Sequence, residues 1–507
     1  MKFRLILMLV TCQILNLPAE TASCWQKLSW SEPAVITRCY RFHFSEYPNE
    51  NHLIRKLNPK EHNSFEIAIY PLSQLKSSLL ELGSNPAEPS TFISYKAADS
   101  NYAARLDIQV RTGADFSSDL EDRDYSFLHH GVVIKGNLAD RLFLYGDWWS
   151  GHYGSDLDYA LETSPLLDSW YQYDDDREKI YHDNLRGKLL YSLPYLSVGL
   201  GRGQYQLGSS ISGSIILDTQ GNDYGYISLD FRIGTLLFSQ LQAKLIADST
   251  TTVSDQIEEY PEKYLAVHRL EWLPSPRFRF FLGEAVIYGN RSPDPGYLLP
   301  HVFQRVVEHN LRDRDNVLIF SGWEWQVGSG NIMYGNLIVD ELKKSELFSD
   351  WWGNKYALQI GNSLQIPAWH SRLSLEFTAV RPWLYTHNQL VNKYSHDGFG
   401  LGFPAGSNLI QIATEFNTNI IANLTLDLAA SFTRQGSVGN HFSLNYDSRP
   451  SDHADWLEGC IQNIYRGKFV VTWQPLAHHS LKLGYQITRT AGDPARHDLS
   501  LSYLLTY

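Results

Sequence analysis

The stretch at residues 422–434 reads ANLTLDLAASFTR and decides the fold. Apolar residues occupy every second position from Leu424 to Phe432, and the positions between them are small or polar. Because successive side chains of a β-strand point to opposite faces, this alternation predicts a strand with one apolar and one polar face.

The same alternation recurs along most of the chain, in segments that include residues 102–110, 225–233, 479–490 and 499–507. These segments run for about nine to thirteen residues, which matches the ~9–11 residues of a tilted membrane strand better than the ~5–6 of an average soluble strand. A soluble sandwich would turn the polar faces to water, whereas an outer-membrane barrel would turn the apolar faces to lipid.

Aromatic residues near the segment ends favour the barrel. Rings that would form an interfacial girdle stand at Trp148, Trp149, Trp272, Tyr288 and Trp473. The last segment alternates up to Tyr507 and resembles the tail through which bacterial outer-membrane proteins engage their insertion machinery.

Short gaps alternate with long connections between the segments. The short gaps lie near residues 137–140, 193–194, 234, 274–276, 329–331, 367–370, 417–421 and 475–479. The long connections are about residues 113–129, 150–183, 203–224, 247–260, 290–316, 341–353, 381–406, 435–460 and 491–496. Short periplasmic turns and longer external loops alternate in this way in bacterial barrels. For residues 101–507 the sequence therefore predicts an all-β fold, an antiparallel transmembrane outer-membrane β-barrel of about 18 strands with both ends periplasmic. The glycines at 203, 208, 213 and 221 further predict a bent or lumen-folded loop at 203–224.

The composition excludes two classes of protein. Among 507 residues, 43 Lys and Arg face 55 Asp and Glu, which gives a net charge of −12. A nucleic-acid binder would carry a dense basic patch, so we expect no nucleic-acid partner. No internal apolar run approaches the ~18–20 residues of a transmembrane helix, which excludes a helical membrane protein.

The first 100 residues differ from the rest. Residues 1–23 combine Lys2 and Arg4 with an apolar run and small residues, which predicts a signal peptide for secretion across the inner membrane. Leucines at 72, 75, 79, 80 and 82 have helical spacing. Residues 24–100 are therefore predicted to form an N-terminal periplasmic or plug segment with a helix.

Three cysteines would remain after cleavage of the signal peptide. We predict a disulfide between Cys24 and Cys39, with Cys460 free or buried. Two alternatives stay open. All three cysteines are reduced and buried, or Cys24 is lipidated, since residues 21–24 resemble a lipoprotein box.

Several motifs resemble those of the Wzi-type capsule-assembly outer-membrane proteins. They are YPLS at 70–73, YLLP at 297–300, YGNLIVD at 334–340, PWLYTH at 382–387, DG at 397–398 and LG at 401–402. The resemblance implies an 18-stranded barrel with an N-terminal helical portion on the periplasmic side. It also implies a role in attaching or organising capsular or related polysaccharide at the cell surface. Residues 203–208 read GQYQLG where the family often has a Trp-Gly-Pro-like element, so this part of the chain departs from the family pattern.

Aromatic and arginine residues in or beside the predicted external connections are candidates for polysaccharide binding. Rings offer apolar faces to the C–H groups of sugars, and arginine forks bind carboxylates or phosphates. The candidates are Trp148, Trp170, Tyr171, Tyr173, Arg291, Arg305, Trp351, Trp352, Arg381, Trp383 and Tyr385. Other interpretations stay open: the rings belong to the girdle or pack loops into a lid, and the arginines form an internal salt-bridge network. The acidic run at 174–176 is either a calcium site or a solvated stretch.

Motifs of common enzymes are absent from the sequence. Neither a Gly-x-Ser-x-Gly elbow, nor a His-Glu-x-x-His motif, nor a phosphate-cradling glycine loop occurs, so we expect no enzyme, no cofactor and no metal site. A Ser–His pair brought together by folding remains the enzymatic alternative. We expect a monomeric barrel that contacts outer-membrane lipid and lipopolysaccharide, binds capsular or extracellular polysaccharide and helps to assemble or attach it. The alternative is a porin or an uptake channel for small solutes.

Overall fold

The computed structural model describes most of the chain from residue 93 onwards. The described residues are 93–96, 102–118, 123–138, 141–164, 166–193, 195–247, 261–275, 277–300, 302–328, 330–346, 349–421, 423–476 and 478–506. The predicted signal peptide, the helix near residue 80 and the Cys24–Cys39 pair lie outside these residues. Cys460, the third cysteine, is free and exposed.

Strands dominate the described residues. The strands are β1 (Ile93–Lys96), β2 (Tyr102–Ser118), β3 (Arg123–Leu138), β4 (Leu142–Ser155), β5 (Tyr171–Tyr173), β6 (Lys179–Ser192), β7 (Leu196–Gly203), β8 (Tyr224–Ile233), β9 (Leu236–Ile246), β10 (Glu262–Ser275), β11 (Phe278–Gly289), β12 (Asn316–Val327), β13 (Asn331–Glu341), β14 (Lys355–Ile366), β15 (Ser371–Val380), β16 (Ser395–His396), β17 (Phe399–Gly400), β18 (Leu409–Ile421), β19 (Leu424–Gly436), β20 (Ile461–Leu476), β21 (His479–Thr490) and β22 (Arg496–Thr506). The α-helices are α1 (Leu157–Thr163), α2 (Pro295–Leu298) and α3 (Gln304–Asn310). Single 3-10 turns occupy Lys344–Glu346, Pro367–Trp369, Leu390–Asn392 and Tyr446–Ser448.

Eighteen of these strands form one closed antiparallel barrel. Each strand pairs with the next along the chain, and β2 closes the barrel against β22, with Gln109 opposite Thr506 and Ser118 opposite His497. Closure leaves no open edge among these eighteen strands, which matters in lipid because each unpaired backbone group costs several kcal/mol there. The predicted fold and strand number are confirmed. Three shorter pairings add to the barrel: β1 on β2, β5 on β6, and the hairpin β16–β17.

Much of the outer face of the barrel is apolar. On β6, Tyr181, Leu185 and Leu189 are exposed on the outer face, whereas Arg186 and Lys188 are buried on the inner face. An apolar surface around a polar interior is the arrangement of a membrane barrel. No helix among the described residues is long and apolar enough to cross a membrane.

The predicted alternation of turns and connections is also observed. Between successive barrel strands, turns of two to four residues at one end alternate with connections at the other, most of them much longer. We call the end with the longer connections the external end, as in bacterial barrels.

Two predicted connections are much shorter in the structure. The connection predicted at 113–129 is wrong, because β2 reaches Ser118 and β3 begins at Arg123. The connection predicted at 150–183 shrinks to residues 156–178. The physical reason is visible on β3, where Tyr125 and Phe127 are buried on the inner face and pack against Tyr153. Aromatic rings replace polar side chains on this part of the lumen face, so the alternation that marks other strands is lost.

Candidate functional site

The connection between β7 and β8, residues 204–223, folds into the lumen, and we call it the plug segment. If β2 is counted as the first strand of the barrel, β7 and β8 are the fifth and sixth. The plug segment forms hydrogen bonds with side chains of β12–β15, which are the tenth to thirteenth strands. It therefore crosses the lumen between distant parts of the wall. Ile211, Ile215, Ile216 and Leu217 in its centre are fully buried. The predicted inward fold of this region is confirmed.

Glu376 on β15 anchors the plug segment. Its carboxylate accepts hydrogen bonds from the backbone N–H groups of Ile211 (2.9 Å) and Ser212 (3.2 Å), from the hydroxyl of Tyr334 (2.6 Å) and from the hydroxyl of Ser212. The chain then turns at Gly213, whose φ is 109° and where a Cβ atom would come within 2.3 Å of Pro404. Only glycine fits this conformation and this close approach.

The connection between β15 and β18, residues 381–408, also folds inward, and we call it the lid segment. The rings of Tyr385 and Tyr394 stack with centroids 5.8 Å apart. Their hydroxyls donate hydrogen bonds to the backbone oxygens of Ile215 (2.6 Å) and Ile216 (2.7 Å) in the plug segment. The two segments thus share one apolar core inside the barrel.

Trp383 and Tyr385 are buried in this packing, although the sequence placed them on an exposed binding surface. The Trp383 ring lies against Gly439, and its backbone N–H donates to the Gly439 carbonyl at 2.8 Å. Both residues have positive φ, 64° and 73°, which costs a bulky residue about 1–3 kcal/mol. Their position corresponds to the alternative interpretation, in which rings pack loops into a lid.

Above this core, three rings form a half-buried external group that we call the aromatic platform: Trp351, Trp352 and Tyr446. The ring centroids of Trp351 and Trp352 are 5.9 Å apart, and those of Trp352 and Tyr446 are 5.2 Å apart. The platform joins two connections, 342–354 between β13 and β14 and 437–460 between β19 and β20. Tyr446, from the second of these, was not among the sequence candidates.

Cationic side chains cover the aromatic platform. The Arg449 guanidinium lies 4.0 Å from the centre of the Trp352 ring, and the Lys343 ammonium 5.5 Å from that of Trp351. The Lys355 ammonium is 4.8 Å from the centre of the Tyr446 ring. Such a cation–π contact is worth about 0.5–1 kcal/mol at an exposed position such as that of Lys343, whereas Lys355 is buried. These contacts keep the rings in a fixed arrangement.

Backbone contacts hold the two connections of the platform together. Trp352 N–H donates to the Asp452 carbonyl at 3.0 Å, and Ala454 N–H donates to the Asp350 carbonyl at 2.8 Å. His453 Nδ1 lies 3.0 Å from an Asp350 carboxylate oxygen. The Asp350 carboxylate raises the pKa of His453 above its usual value, so the imidazolium form is favoured in this pair.

Arg381 lies below a fourth external ring. Its guanidinium is buried 5.5 Å from the centre of the Trp456 ring and donates to the Asn354 carbonyl at 3.2 Å. Burial lowers the pKa of Arg381. Arg381 therefore supports the platform connections from beneath, and the exposed Trp456 ring presents the outer surface.

A second group of exposed rings lies in connection 156–178. Trp170 and Tyr171 are exposed, and Tyr171 contacts Tyr173 with centroids 6.0 Å apart. The acidic run that follows makes a turn, in which the Asp174 side chain accepts hydrogen bonds from the backbone N–H groups of Glu178 (2.7 Å) and Lys179 (3.0 Å).

Arg291 and Arg305 are engaged in ion pairs within connection 290–315. Arg291 makes a two-pronged contact with Asp315, with nitrogen–oxygen distances of 2.9 and 2.5 Å. Arg305 contacts Glu308 at 2.6 Å and Asp313 at 3.1 Å. The internal salt-bridge network, one of the two interpretations of the sequence, is what the structure shows.

Trp148 lies on the outer wall of the barrel and not in an external connection. It is exposed on β4, opposite Val132 of β3, with its ring against His130 at 5.6 Å. Trp272 and Trp473 are also exposed, as the girdle prediction requires. Trp149 and Tyr288, which were predicted for the same girdle, are buried instead.

Tyr446, Arg449 and Trp456 were not predicted, because the sequence of connection 435–460 indicates only a loop. The signal available was an aromatic and an arginine within a predicted external connection, the same signal that selected Trp351 and Trp352. That signal does not tell which connections meet, because the meeting depends on how the barrel closes.

Searches against protein-family models and against curated proteins gave no match. Solved structures are similar in fold. Wzi of Escherichia coli, described as an outer-membrane protein involved in group 1 capsule assembly and a carbohydrate-binding β-barrel, superposes with a TM-score of 0.52 at 11% identity, over 87% of this chain and 89% of that one. OccAB4 of Acinetobacter baumannii gives 0.47 at 10% identity over 83% and 100%. OccK8 (OprE) of Pseudomonas aeruginosa gives 0.46 at 7% identity over 80% and 98%. At these identities the likeness is one of fold, and it establishes an 18-stranded barrel of the outer-membrane type.

Proposed function

We propose that this protein lies in the bacterial outer membrane, binds polysaccharide at its external end and helps to attach or assemble it there as a surface layer. The observation that carries the proposal is the aromatic platform, which stands above a core formed by the plug and lid segments. Half-exposed aromatic rings can stack on the C–H faces of sugars. The fold likeness to Wzi, which is described as carbohydrate-binding, supports the same class of ligand. The proposed role is binding, without catalysis.

A binding measurement on the platform tests this proposal. Purified wild-type protein and a Trp352→Ala variant would be titrated with surface polysaccharide of the producing cell. Loss of one stacked ring should cost about 1–2 kcal/mol, or roughly tenfold in affinity. Trp369→Ala is the matched control, since Trp369 is an exposed tryptophan in a short turn at the opposite end of the barrel. Equal affinity of all three proteins would refute a role for the platform.

The second candidate, a porin or uptake channel, is favoured by one observation. On β20, Gln462 and Arg466 point to the lumen. They remain exposed because they lie outside the core shared by the plug and lid segments. An exposed polar inner face is the lining that a solute channel needs.

Conductance across a planar bilayer distinguishes the two candidates. The polysaccharide proposal predicts no sustained single-channel current, and it predicts that deletion of the gene loosens the surface polysaccharide without stopping its synthesis. A sustained current of general-porin size, together with an intact polysaccharide layer in the deletion strain, would establish the channel instead.

A further inference from the structure

Connection 290–315 brings three possible metal ligands together at the C-terminal end of α3. Glu308, His309 and Asp313 each offer one ligand atom, and these atoms lie within 4.8 Å of one another. Arg312 and Asp313 both have positive φ, 75° and 54°, so the chain reverses after the helix. Asp313 N–H then donates to the Glu308 carbonyl at 3.1 Å, which returns the Asp313 carboxylate to the helix end.

Glu308 is the unusual member of this group because it is completely buried. One of its carboxylate oxygens, Oε2, accepts a hydrogen bond from Arg305 at 2.6 Å. The other, Oε1, has no hydrogen-bond partner among the described residues. A buried carboxylate in this condition is stabilised by an additional cation.

Arg305 now occupies the position that such a cation would take. Its Nη1 atom lies between the carboxylates, 2.6 Å from Glu308 and 3.1 Å from Asp313. The Arg305 side chain is 41% exposed, so it lies in contact with solvent. The His309 and Asp313 side chains are 57% and 66% exposed, so an ion from solution can reach them.

We propose that Glu308, His309 and Asp313 form a zinc-type divalent-cation site, in which the Arg305 guanidinium holds the two carboxylates until an ion displaces it. One imidazole nitrogen and two carboxylate oxygens are a ligand set that Zn²⁺ accepts, with water in the fourth position. Ca²⁺ prefers oxygen ligands alone, so the imidazole disfavours it. The His309 Nε2 to Asp313 Oδ1 distance is 3.9 Å, near the ~3.4 Å between ligands of a tetrahedral Zn²⁺ with bonds of ~2.1 Å.

The site uses none of the three rings of the aromatic platform, and the proposal does not depend on the polysaccharide proposal. A bound ion would cross-link the end of α3 to the turn that follows it. Because Arg305 and the ion compete for the same carboxylates, removal of the arginine should strengthen ion binding. An ordinary salt-bridge cluster would show no such response.

Equilibrium dialysis of the full-length protein in detergent against ZnCl₂ at pH 7.5 tests the proposal. The wild type should bind Zn²⁺ saturably. His309→Ala and Asp313→Asn, both exposed positions, should each weaken this binding at least about tenfold, since loss of even an outer-shell partner costs 10–100-fold. Arg305→Met should bind Zn²⁺ more tightly than the wild type.

His453→Ala is the matched control, because His453 also lies beside an exposed carboxylate, that of Asp350, but belongs to no grouping of three ligands among the described residues. His453→Ala should bind Zn²⁺ as tightly as the wild type, whereas His309→Ala should bind it more weakly. The proposal is overturned if the wild type binds no Zn²⁺, if His309→Ala and His453→Ala behave alike, if Arg305→Met binds more weakly, or if CaCl₂ in place of ZnCl₂ fills the site more tightly.

Discussion

At the scale of single residues, the buried carboxylate of Glu376 determines how the plug segment is held. Two backbone N–H groups and two hydroxyls donate to this one side chain. Two of its donors, the N–H groups of Ile211 and Ser212, lie on the part of the plug segment farthest from β7 and β8. Ile211 is fully buried, so loss of the carboxylate would leave its N–H group without an acceptor.

Glu376→Ala should therefore release the plug segment. Each donor left buried without an acceptor costs about 1–3 kcal/mol. We expect faster hydrogen exchange at residues 209–214 and easier proteolysis within the plug segment. The matched control is Glu415→Ala, because Glu415 is a buried glutamate on the neighbouring strand β18 that contacts Arg372 and makes no hydrogen bond to the plug segment. Unchanged exchange in Glu376→Ala, or equal changes in both variants, would contradict the anchor role.

The sequence identified which aromatic residues the external connections contain, but it did not distinguish exposed rings from buried ones. The sequence selected Trp351 and Trp352 as surface rings, and they form the platform, but it selected Trp383 and Tyr385 by the same criterion and they are buried. The difference arises from contacts with Ile215 and Gly439, which are distant in the chain. An external loop that folds inward has the same composition as one that stays outside.

At the scale of elements, alternation predicted strands wherever the lumen face is polar, as on β19 and β21. It did not predict the external ends of β2 and β3, because Tyr125 and Phe127 make the lumen face aromatic there. It also did not predict the hairpin β16–β17, whose strands have only two residues each. A hairpin this short depends on packing against the surrounding core, which local sequence does not show.

Acid should weaken the attachment of this hairpin. His396 Nδ1 accepts a hydrogen bond from the Ile246 backbone N–H at 2.9 Å, and burial lowers the pKa of His396 to about 4. When the hairpin is released from Ile246, the His396 imidazole should have the ordinary pKa of about 6.5. As the pH falls from about 6.5 to about 4, the released form takes up a proton that the docked form cannot, so docking loses free energy throughout this range and no further below it.

A spin label at position 390, introduced as Leu390→Cys in a Cys460→Ser background, measures this effect. Leu390 is exposed on the lid segment. The label should become more mobile between pH 6.5 and 4, and less so in His396→Asn, which keeps an acceptor but cannot be protonated. Mobility that is independent of pH, or equally dependent in His396→Asn, would contradict the role of His396.

At the scale of the whole molecule, closure of β2 on β22 makes the barrel, and a pair of cysteines can test its register. Ala114 lies opposite Leu501. Directly opposed residues of antiparallel strands have Cα atoms about 4.5–5.5 Å apart, within the range of a disulfide. Ala114→Cys with Leu501→Cys should therefore cross-link in high yield in the folded protein.

Ala114→Cys with Ser500→Cys is the control for this cross-link. Ser500 is one residue out of register and points to the other face of β22. Cross-linking would be read from the altered migration of the heated protein on an SDS gel, without and with reductant. Equal yields from the two pairs would show that the strands do not close in this register.

The reach of the plug segment dictates an order of assembly. Its contacts with Glu376, Tyr385 and Tyr394 join residues 165, 170 and 178 positions apart in the chain. Contacts between such distant residues form slowly, because a long loop must close first. Glu376 lies on β15 of the wall, and Tyr385 and Tyr394 lie on the lid segment that follows β15, so these parts of the chain must be in place before the plug segment can bind to them. We therefore expect the plug segment to dock only after most strands of the wall have paired.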